Sequence, residues 1–276
     1  MFHLKNYQLM ENLIIQNLHA VRTKNPLVHN ITNFVVMNNT ANALLAIGAS
    51  PVMIHAHKEV ENIVKISNAL VINIGTLDDY WAESMLIAAK KADQLNKPWV
   101  LDPVGAGIST FRNELIKELL RYHPTVIRGN ASEILTLDTF EAVQGKGVDS
   151  THQSNQAIKA AHNLNQKIGS VVCISGASDF IVSNNPIIEI KNGHELMTKV
   201  TGLGCSATAS IGAFIGLNKN PFLETVSGMA IFSLAGELAQ KKSNGPGTLQ
   251  MNLYDTLYHI SAEEIQTNLK ISVYED

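Results

Sequence analysis

The sequence predicts a layered α/β protein with a central, mostly parallel sheet. Short apolar runs recur along the chain, and several, such as Ala69–Ile74, are apolar at almost every position. Such runs are typical of strands that are buried on both faces of a parallel sheet. Amphipathic stretches with helical periodicity separate these runs. Strand and helix in alternation imply right-handed crossovers and a layered fold.

Each predicted element follows from one of these two patterns. The strands are predicted at Leu27–Ile31, Val52–Ile54, Ala69–Ile74, Trp99–Leu101, Val126–Arg128 and Val171–Ile174. The helices between them are predicted at Met37–Ile47, Trp81–Leu95, Arg112–Arg121 and Ser154–Ile168. Two shorter runs, Phe180–Ser183 and Pro186–Lys191, flank Asn184-Asn185 and predict a β-hairpin near a sheet edge. Beyond Thr201 the pattern is helical, with helices predicted at Cys205–Leu217, Pro221–Lys241 and Thr248–Leu269.

Composition narrows the class of protein. The chain has 276 residues, 45% of them hydrophobic and 16% charged, and a formal net charge of -3. It contains neither a Pro/Ser-rich linker nor an internal repeat, so we expect one domain over residues 1–276. The near-neutral charge balance argues against nucleic acid as a partner. No apolar run reaches about 18 residues and no basic run suits an anionic membrane surface, so we expect no membrane association. Two cysteines without a CxxC pair, and no signal peptide, indicate a cytoplasmic protein.

Ligands of an open parallel sheet bind at the carboxyl ends of its strands. Asp102 follows the strand Trp99–Leu101 and precedes the glycine-rich turn Pro103–Gly107. A carboxylate in this position can hold hydrated Mg²⁺ beside a phosphate, and this interpretation is favoured. The alternative is that Asp102 caps the next helix.

A second loop carries an arginine and a glutamate after the strand Val126-Ile127. Asn130 and Glu133 have the spacing of a helix capping box. A carboxylate here is equally well placed to order the waters around a metal ion, and the local sequence leaves both interpretations open. Arg128 offers a planar donor fork that suits phosphate.

The strongest signal is the loop Thr201–Ala207, which precedes a run of small residues, Thr208–Gly212. Small residues let the backbone approach a ligand, and a helix that begins near Cys205 would direct free N–H groups at an anion. The match of Gly202, Gly204 and Ala207 to a dinucleotide fingerprint is discounted, because it comes late and no strand follows it. The resemblance of Gln144–Gly147 to a Walker loop fails because its first glycine and its Ser or Thr are absent.

Cys205 has two further interpretations. A thiol at a helix N-terminus has a lowered pKa and can act as a nucleophile or a base. A small buried residue is the alternative. A cysteine hydrolase is disfavoured because none of the ten histidines stands in a recognisable partner motif.

Two other segments carry polar residues near the predicted site. Amide side chains gather between Asn30 and Asn42, where pocket walls and Asx-rich turns are equally good interpretations. His29, His55 and His57 lack a further ligand set, so surface or pocket histidines are preferred to a metal site. The turn Ser175–Asp179 follows a strand and is either a plain β-turn or a nucleotide contact.

Taken together and in this order, these segments resemble the hydroxyethylthiazole kinase family over nearly the whole chain. The matching segments are His29–Asn33, Thr40–Asn42, Gly48–Met53, Asn73–Thr76, Leu101–Gly107, Arg128–Glu133, Thr201–Ala207 and Gly245–Thr248. The resemblance implies a ribokinase-like fold with helices on both faces of the sheet. It implies transfer of the γ-phosphoryl group of ATP to the alcohol of 4-methyl-5-(2-hydroxyethyl)thiazole, a step of thiamine biosynthesis and salvage, with Mg²⁺ required. It also implies a homotrimer with the substrate pocket at the subunit interface.

Roles for individual residues come from the same resemblance. Substrate contacts are implied for Met53 and Gly202, with Asn33, Gly75 and Thr76 lining the pocket. ATP contacts are implied for Arg128 and Ser175, where many relatives have Thr in place of Ser175. Asp102 and Glu133 would organise Mg²⁺ and its waters, and the backbone N–H groups of Gly202, Gly204 and Cys205 would form an anion hole. Cys205 would help to deprotonate or orient the hydroxyl, at a position where many ribokinase-like enzymes have Asp and thiazole kinases have Cys. The alternatives are a kinase of another heterocyclic alcohol, of the pyrimidine or pyridoxal type, and a sensor that binds without turnover.

Overall fold

The computed structural model describes residues 2–141, 153–184 and 186–274. The Walker-like segment Gln144–Gly147 lies outside the described residues.

One sheet of nine strands runs through the described structure. Its strands are β1 (Leu27–Ile31), β2 (Ser50–Val52), β3 (Ala69–Asn73), β4 (Trp99–Asp102), β5 (Val126–Asn130), β6 (Val171–Ser175), β7 (Asp179–Val182), β8 (Ile188–Ile190) and β9 (Ile271–Val273). Their order across the sheet is β2-β1-β3-β4-β5-β6-β7-β8-β9. The pairs from β2 to β6 are parallel, and the remaining pairs are antiparallel. The mostly parallel sheet predicted from the sequence is therefore confirmed.

Helices cover both faces of the sheet. They are α1 (Phe2–Lys24), α2 (Met37–Ile47), α3 (His57–Ile66), α4 (Asp79–Gln94), α5 (Thr110–Leu120), α6 (Ala131–Glu141), α7 (Gln153–Ile168), α8 (Leu203–Ile215), α9 (Pro221–Gln240), α10 (Pro246–His259) and α11 (Ala262–Asn268), with a 3-10 helix at Glu195–Lys199. Side chains alternate along each strand. Val71 of β3 therefore packs in a core with α1, α2 and α8–α10, whereas Leu70 and Ile72 pack in a second core with α3–α7.

The elements match the prediction except at a few places. β2 begins at Ser50 and not at Val52, because Ser50 pairs with Leu27 of β1, so Met53 follows the strand. The helix predicted at Thr248–Leu269 is two helices, because Ser261 forms a capping box with Glu264 and starts α11. The sequence pattern does not predict helices α1 and α3, the 3-10 helix or β9, and it predicts only the start of α6, from the capping box of Asn130 and Glu133.

Helix α9 has the length and apolar composition needed to cross a bilayer, but 83% of that stretch is buried inside the fold. It packs in the larger core, against α8 and α10. Its hydrophobicity is therefore that of a core helix.

Candidate active site

The strand register brings the predicted loops to one edge of the sheet. Asn73 at the end of β3 is opposite Asp102 at the end of β4. Asn130 at the end of β5 is likewise opposite Ser175 at the end of β6. Because these strands are parallel neighbours, their carboxyl ends form a continuous row of polar residues.

Asp102 is the buried acid of this row, with 1% of its surface exposed. Its Oδ2 accepts hydrogen bonds from Asn73 Nδ2 at 2.6 Å and from Thr208 Oγ1 of α8 at 2.7 Å. Burial raises the pKa of Asp102 to about 6, and the positive charge of Arg128 and both hydrogen bonds oppose that rise. Helix α5 is capped by Ser109, so the interpretation of Asp102 as its cap is wrong.

Two amides join Asp102 to Cys205. Asn33 Nδ2 donates to Asn73 Oδ1 over 2.7 Å, and it also lies 3.7 Å from Cys205 Sγ. Asn73 in turn donates to Asp102. A chain of side-chain hydrogen bonds therefore runs from the thiol to the buried carboxylate.

Glu133 connects the loops after β4 and β5. Its Oε2 accepts from the backbone N–H of Asn130 at 2.8 Å, while Asn130 Oδ1 accepts from the N–H of Glu133 at 3.0 Å. The predicted capping box is therefore present. Glu133 Oε1 also accepts from the N–H of Gly105 at 2.9 Å, so the same carboxylate holds the glycine-rich turn that follows Asp102.

The N-terminus of α8 lies at the centre of the row. Gly202 is its N-cap, with a left-handed φ of 81°, and a Cβ there would stand 2.4 Å from Val36 Cγ1. Intrahelical bonding starts with the N–H of Ser206, which donates to the carbonyl of Gly202 at 2.9 Å. The N–H groups of Leu203, Gly204 and Cys205 precede that bond and so remain available for an anion.

Burial raises the pKa of the Cys205 thiol to about 11, and the nearby charge of Asp102 contributes to the rise. The expectation of a lowered pKa at this helix N-terminus is therefore wrong, because burial and the charge of Asp102 raise the pKa of Cys205 more than the hydrogen bonds of Asn73 and Asn33 and the charge of Arg128 lower it. Cys205 is a neutral thiol at neutral pH. The cysteine hydrolase loses its physical basis, since it needs a thiolate nucleophile.

A cavity of about 590 Å³ opens beside this helix terminus. Its lining includes Arg128, Ser175 and Gly204, together with Asp179, Ser233 and Phe232. The remaining lining residues are Gly176, Ala177, Asn192, Gly193, His194, Glu195, Met197, Thr198, Leu203, Ala207 and Met229. Both predicted ATP-contact residues therefore face one cavity that is large enough for a nucleotide.

Arg128 is the cation of the cavity. Its Nε is buried without a hydrogen-bond partner among the described residues. Burial lowers the pKa of Arg128, but the negative charges of Asp102 and Asp179 outweigh burial and leave that pKa raised. Asp179 is itself held by the hydroxyl of Ser233 at 2.8 Å and by the N–H of Gly176 at 3.2 Å. The guanidinium is therefore charged and has donors to spare for an anionic ligand.

The residues implied for the substrate pocket lie around the loops after β1, β2 and β3. The hydroxyl of Thr76 accepts from the N–H of Phe34 at 2.9 Å, which joins two of these loops. Gly75 lies against Asn33, since a Cβ at Gly75 would stand 2.5 Å from Asn33 Nδ2. Met53 follows β2 and is partly exposed.

The three histidines do not form a metal site, and no group of three or more metal-binding side chains occurs within residues 2–141, 153–184 and 186–274. His29 is fully buried and its Nε2 lies 2.7 Å from the carbonyl of Ile54. Burial lowers the pKa of His29 to about 4, so the ring is neutral. His55 stacks on Trp81, and His57 stacks on Tyr80.

The carboxylates nevertheless suit a hydrated divalent cation. Both hydrogen bonds to Asp102 reach Oδ2, and no side chain or backbone group of the described segments donates to Oδ1. Each oxygen of Glu133 accepts one bond and keeps a second lone pair. Mg²⁺ is commonly held by one or two carboxylates together with waters and substrate phosphates. Asp102 and Glu133 therefore fit Mg²⁺ better than a cation that requires a complete protein ligand set.

The sequence does not predict the roles of several site residues. Its pattern marks Thr208 only as a small residue, Asp179 only as part of a turn, and Asn73 only as part of a matching segment. Arg112 was placed at a helix start, but its guanidinium donates to the carbonyls of Ile74, Val104 at 2.8 Å and Gly75 at 3.0 Å. A polar residue that ends an apolar strand was a usable signal for Asn73. The long-range contacts of Arg112 and Thr208 left no local signal.

The sequence of this chain matches one protein-family model and is similar to several known proteins. The sequence model described as the Hydroxyethylthiazole kinase family matches residues 18–263. A hydroxyethylthiazole kinase of Syntrophus aciditrophicus is 51% identical over 253 residues, which cover 91% of this chain and 94% of that protein. One from Leptospira biflexa is 53% identical over 256 residues, covering 92% and 96%.

Solved structures agree with the sequence comparisons. The hydroxyethylthiazole kinase protein of Pyrococcus horikoshii superimposes with a TM-score of 0.86 at 41% identity, covering 96% of this chain and all of that chain. A pyridoxal kinase of Staphylococcus aureus has a TM-score of 0.64 at 17% identity, covering 91% and 99%. This second likeness shows the fold alone, and it agrees with the ribokinase-like architecture predicted from the sequence.

Proposed function

The chain belongs to the hydroxyethylthiazole kinase family, and from this premise we propose that it transfers the γ-phosphoryl group of ATP to the primary alcohol of 4-methyl-5-(2-hydroxyethyl)thiazole. The reaction serves thiamine biosynthesis. The observation that carries the proposal is the position of α8. Its first turn borders the cavity lined by Arg128 and Ser175, and Thr208 of the same helix bonds the buried Asp102.

Phosphoryl transfer depends mainly on positioning and on stabilising charge. In the proposed complex the cavity beside α8 holds the nucleotide, with Arg128 and Ser175 contacting it. The free N–H groups at Gly202–Cys205 stabilise the negative charge that develops on the transferred group. Met53 and Gly202 contact the thiazole, and Asn33, Gly75 and Thr76 help to line its pocket. The two ligands then meet at the N-terminus of α8.

Asp102 and Glu133 are the proposed holders of Mg²⁺, directly or through water. When bound, the ion neutralises phosphate charge and orients the phosphate oxygens. The contacts of Asp102 with Asn73 and Thr208, and those of Glu133 with Gly105 and Asn130, fix the two carboxylates in place before any ligand arrives.

Cys205 is proposed to orient the substrate hydroxyl. Its raised pKa leaves it protonated at neutral pH, and a neutral thiol donates or accepts a hydrogen bond more readily than it removes a proton. Replacement of Cys205 by Ala is therefore expected to leave measurable activity. Complete loss of activity with substrate binding intact would favour an obligate base.

The assembly and location are also part of the proposal: a cytoplasmic homotrimer with the thiazole pocket at the subunit interface. Support comes from Phe34 and Val35, which follow Asn33 and expose 57% and 59% of their surface. Sedimentation equilibrium gives the stoichiometry. Mixing Met53→Asp with Asp102→Asn protein tests the shared pocket, because activity returns only if one subunit supplies Met53 and another supplies Asp102.

The reaction itself is tested by ADP release with ATP, Mg²⁺ and the thiazole alcohol, with and without EDTA. Turnover that needs the alcohol and is abolished by EDTA is the expected result. Turnover with pyridoxal or a pyrimidine alcohol but not with the thiazole would reassign the acceptor. Binding of both ligands to folded protein without turnover would indicate a sensor.

A further inference from the structure

The amide pair formed by Asn33 and Asn73 has a defined orientation. An amide oxygen and nitrogen are distinguished by their hydrogen-bond partners. The backbone N–H of Val35 donates to Asn33 Oδ1 at 3.1 Å, and the backbone N–H of Gly75 donates to Asn73 Oδ1 at 3.0 Å. Since a backbone N–H requires an acceptor, both oxygens are fixed, and both side-chain nitrogens point along the chain toward Cys205 or Asp102.

In this orientation both N–H donors of the Asn33 side chain already have partners. One hydrogen on Nδ2 serves Asn73 Oδ1 at 2.7 Å, and the other faces Cys205 Sγ at 3.7 Å. The amide therefore offers a thiazole substrate only its oxygen, which already accepts from Val35. Asn33 is 5% exposed and Asn73 is 1% exposed, so both serve the protein interior more than the pocket surface.

The amide pair is also tightly packed against the neighbouring backbone at Gly75. A Cβ at Gly75 would stand 2.5 Å from Asn33 Nδ2 and 2.7 Å from its Cγ, so glycine is the residue that permits the contact. The residues that bond Asn33 and Asn73 come from four segments: the loop after β1, the end of β3, the end of β4 and the first turn of α8. A displacement of either amide therefore moves the thiol relative to the carboxylate.

We propose that Asn33 and Asn73 are positioning residues that couple the Cys205 thiol to the Asp102 carboxylate. The inference rests on the proposed function only for its kinetic consequence, because the coupling itself is a property of the free protein. Asn73 fixes the acid that faces the phosphates. Asn33 fixes the thiol that faces the substrate hydroxyl. The distance between the thiol and the carboxylate is therefore held constant.

The electrostatics agree with this geometry. Both amides donate toward the thiol and so stabilise its ionised form, opposing the rise that burial and Asp102 impose on the pKa of Cys205. Removing a donor therefore raises the pKa of Cys205 further. This gives a measurement on Cys205 that needs neither substrate nor metal.

The first test is the pH profile of alkylation of Cys205 by iodoacetamide, located by peptide mass spectrometry because Cys173 is the other cysteine. Asn33→Ala and Asn73→Ala are expected to shift the profile to higher pH, since each removes an amide donor that stabilises the thiolate of Cys205. A shift of one pH unit slows alkylation about tenfold at a pH below the transition. Unchanged profiles in both folded variants would overturn the proposal.

The control is Asn163→Ala. Asn163 Nδ2 donates to the carboxylate of Asp138 at 3.1 Å on the exposed α6–α7 surface, as Asn73 Nδ2 donates to Asp102 inside the fold. We expect this variant to keep the wild-type alkylation profile and turnover. A profile shifted equally in Asn163→Ala would show that the effect is global, and the proposal would fail.

The second test separates positioning from packing. Asn33→Ala is made in wild-type protein and in the Cys205→Ala background, and kcat and the KM for ATP are measured in both. If Asn33 acts through Cys205, it lowers kcat about five- to tenfold in the first background and has little further effect in the second, since residues of one network are not additive. An equal loss of kcat in both backgrounds would overturn the coupling.

These experiments distinguish a failure of the proposed function from a failure of the amide coupling. If the wild-type protein does not phosphorylate the thiazole alcohol, the proposed function fails, but the alkylation profiles still decide whether the amides control the thiol. If turnover is normal and the profiles do not move, the amide coupling fails and the proposed function stands.

Discussion

Thr208 of α8 donates its hydroxyl hydrogen to Asp102 Oδ2 over 2.7 Å, although the two residues are 106 positions apart. Both side chains are buried, at 0% and 1% exposure. The contact fixes the acid of the proposed metal site to the helix whose N-terminus is the proposed binding site of the transferred phosphate.

Replacing Thr208 by Val should lower kcat about tenfold, because a hydrogen bond to a charged group contributes about 1.5 to 3 kcal/mol. The Thr208 hydroxyl lowers the pKa of Asp102, so its loss raises that pKa and moves the acidic limb of the kcat profile to higher pH. Thr208→Ser restores the hydroxyl and is the control. A Val variant with the wild-type pH profile would contradict this role.

Asp102→Asn should increase stability while it abolishes activity. The pKa of Asp102 is raised to about 6 from an ordinary 3.8, so the folded state binds the proton more tightly than the unfolded state. Ionisation of Asp102 therefore lowers the free energy of unfolding progressively as pH rises from about 4 to about 6. Above that range this loss of stability is complete. At pH 8 we expect Asp102→Asn to raise the free energy of unfolding by on the order of 1 to 3 kcal/mol.

Urea unfolding of wild-type and Asp102→Asn protein at pH 4 and pH 8, without Mg²⁺, measures this difference. The gain should be smaller at pH 4, where Asp102 of the wild type is protonated. An equal gain at both pH values would show that charge burial is not its cause.

Gly204→Ala should weaken ATP binding without destabilising the fold. A Cβ at Gly204 would stand 3.0 Å from Arg128 Nη1, so the guanidinium must shift by a few tenths of an ångström in the cavity. We expect the KM for ATP to rise about tenfold, equivalent to about 1.4 kcal/mol. The melting temperature should hold or increase, because alanine is the better helix former.

The control for that variant is Gly247→Ala in the first turn of α10. A Cβ at Gly247 meets no atom within 4 Å. The KM for ATP should therefore stay at the wild-type value. A normal KM in Gly204→Ala as well would remove the case for contact between Arg128 and ATP.

Glu133→Gln should raise the Mg²⁺ concentration needed for half-maximal rate. Both oxygens of Glu133 accept hydrogen bonds from backbone N–H groups. The NH₂ group of a glutamine would therefore face one backbone N–H, and neither group would have an acceptor there. A cost of about 1 to 3 kcal/mol in stability is expected from that unsatisfied contact. A lower melting temperature with an unchanged Mg²⁺ requirement would identify Glu133 as a structural cap alone.

The local pattern of the chain was sufficient for the parallel strands and for the position of the site loops. Buried strands such as β3 are apolar on both faces, and loops at their carboxyl ends converge whatever their sequence. The capping box of Asn130 and Glu133 was likewise predictable, because its partners are three residues apart. Helix α3 was not predicted, and neither was β9, whose pairing with β8 depends on a residue range more than 80 positions away.

By itself the sequence determined the fold class and the loops that carry Asp102, Glu133, Arg128 and Cys205, since these follow from periodicity and spacing, and the order of its motifs carried the resemblance to the family. The tertiary structure alone decided how these residues act together. It placed Thr208 on Asp102, aligned Asn33 and Asn73 between acid and thiol, and buried Cys205 so that its pKa rises instead of falling. The physical reason is that hydrogen-bond partners and loss of solvation are set by residues distant in sequence, which no local pattern encodes.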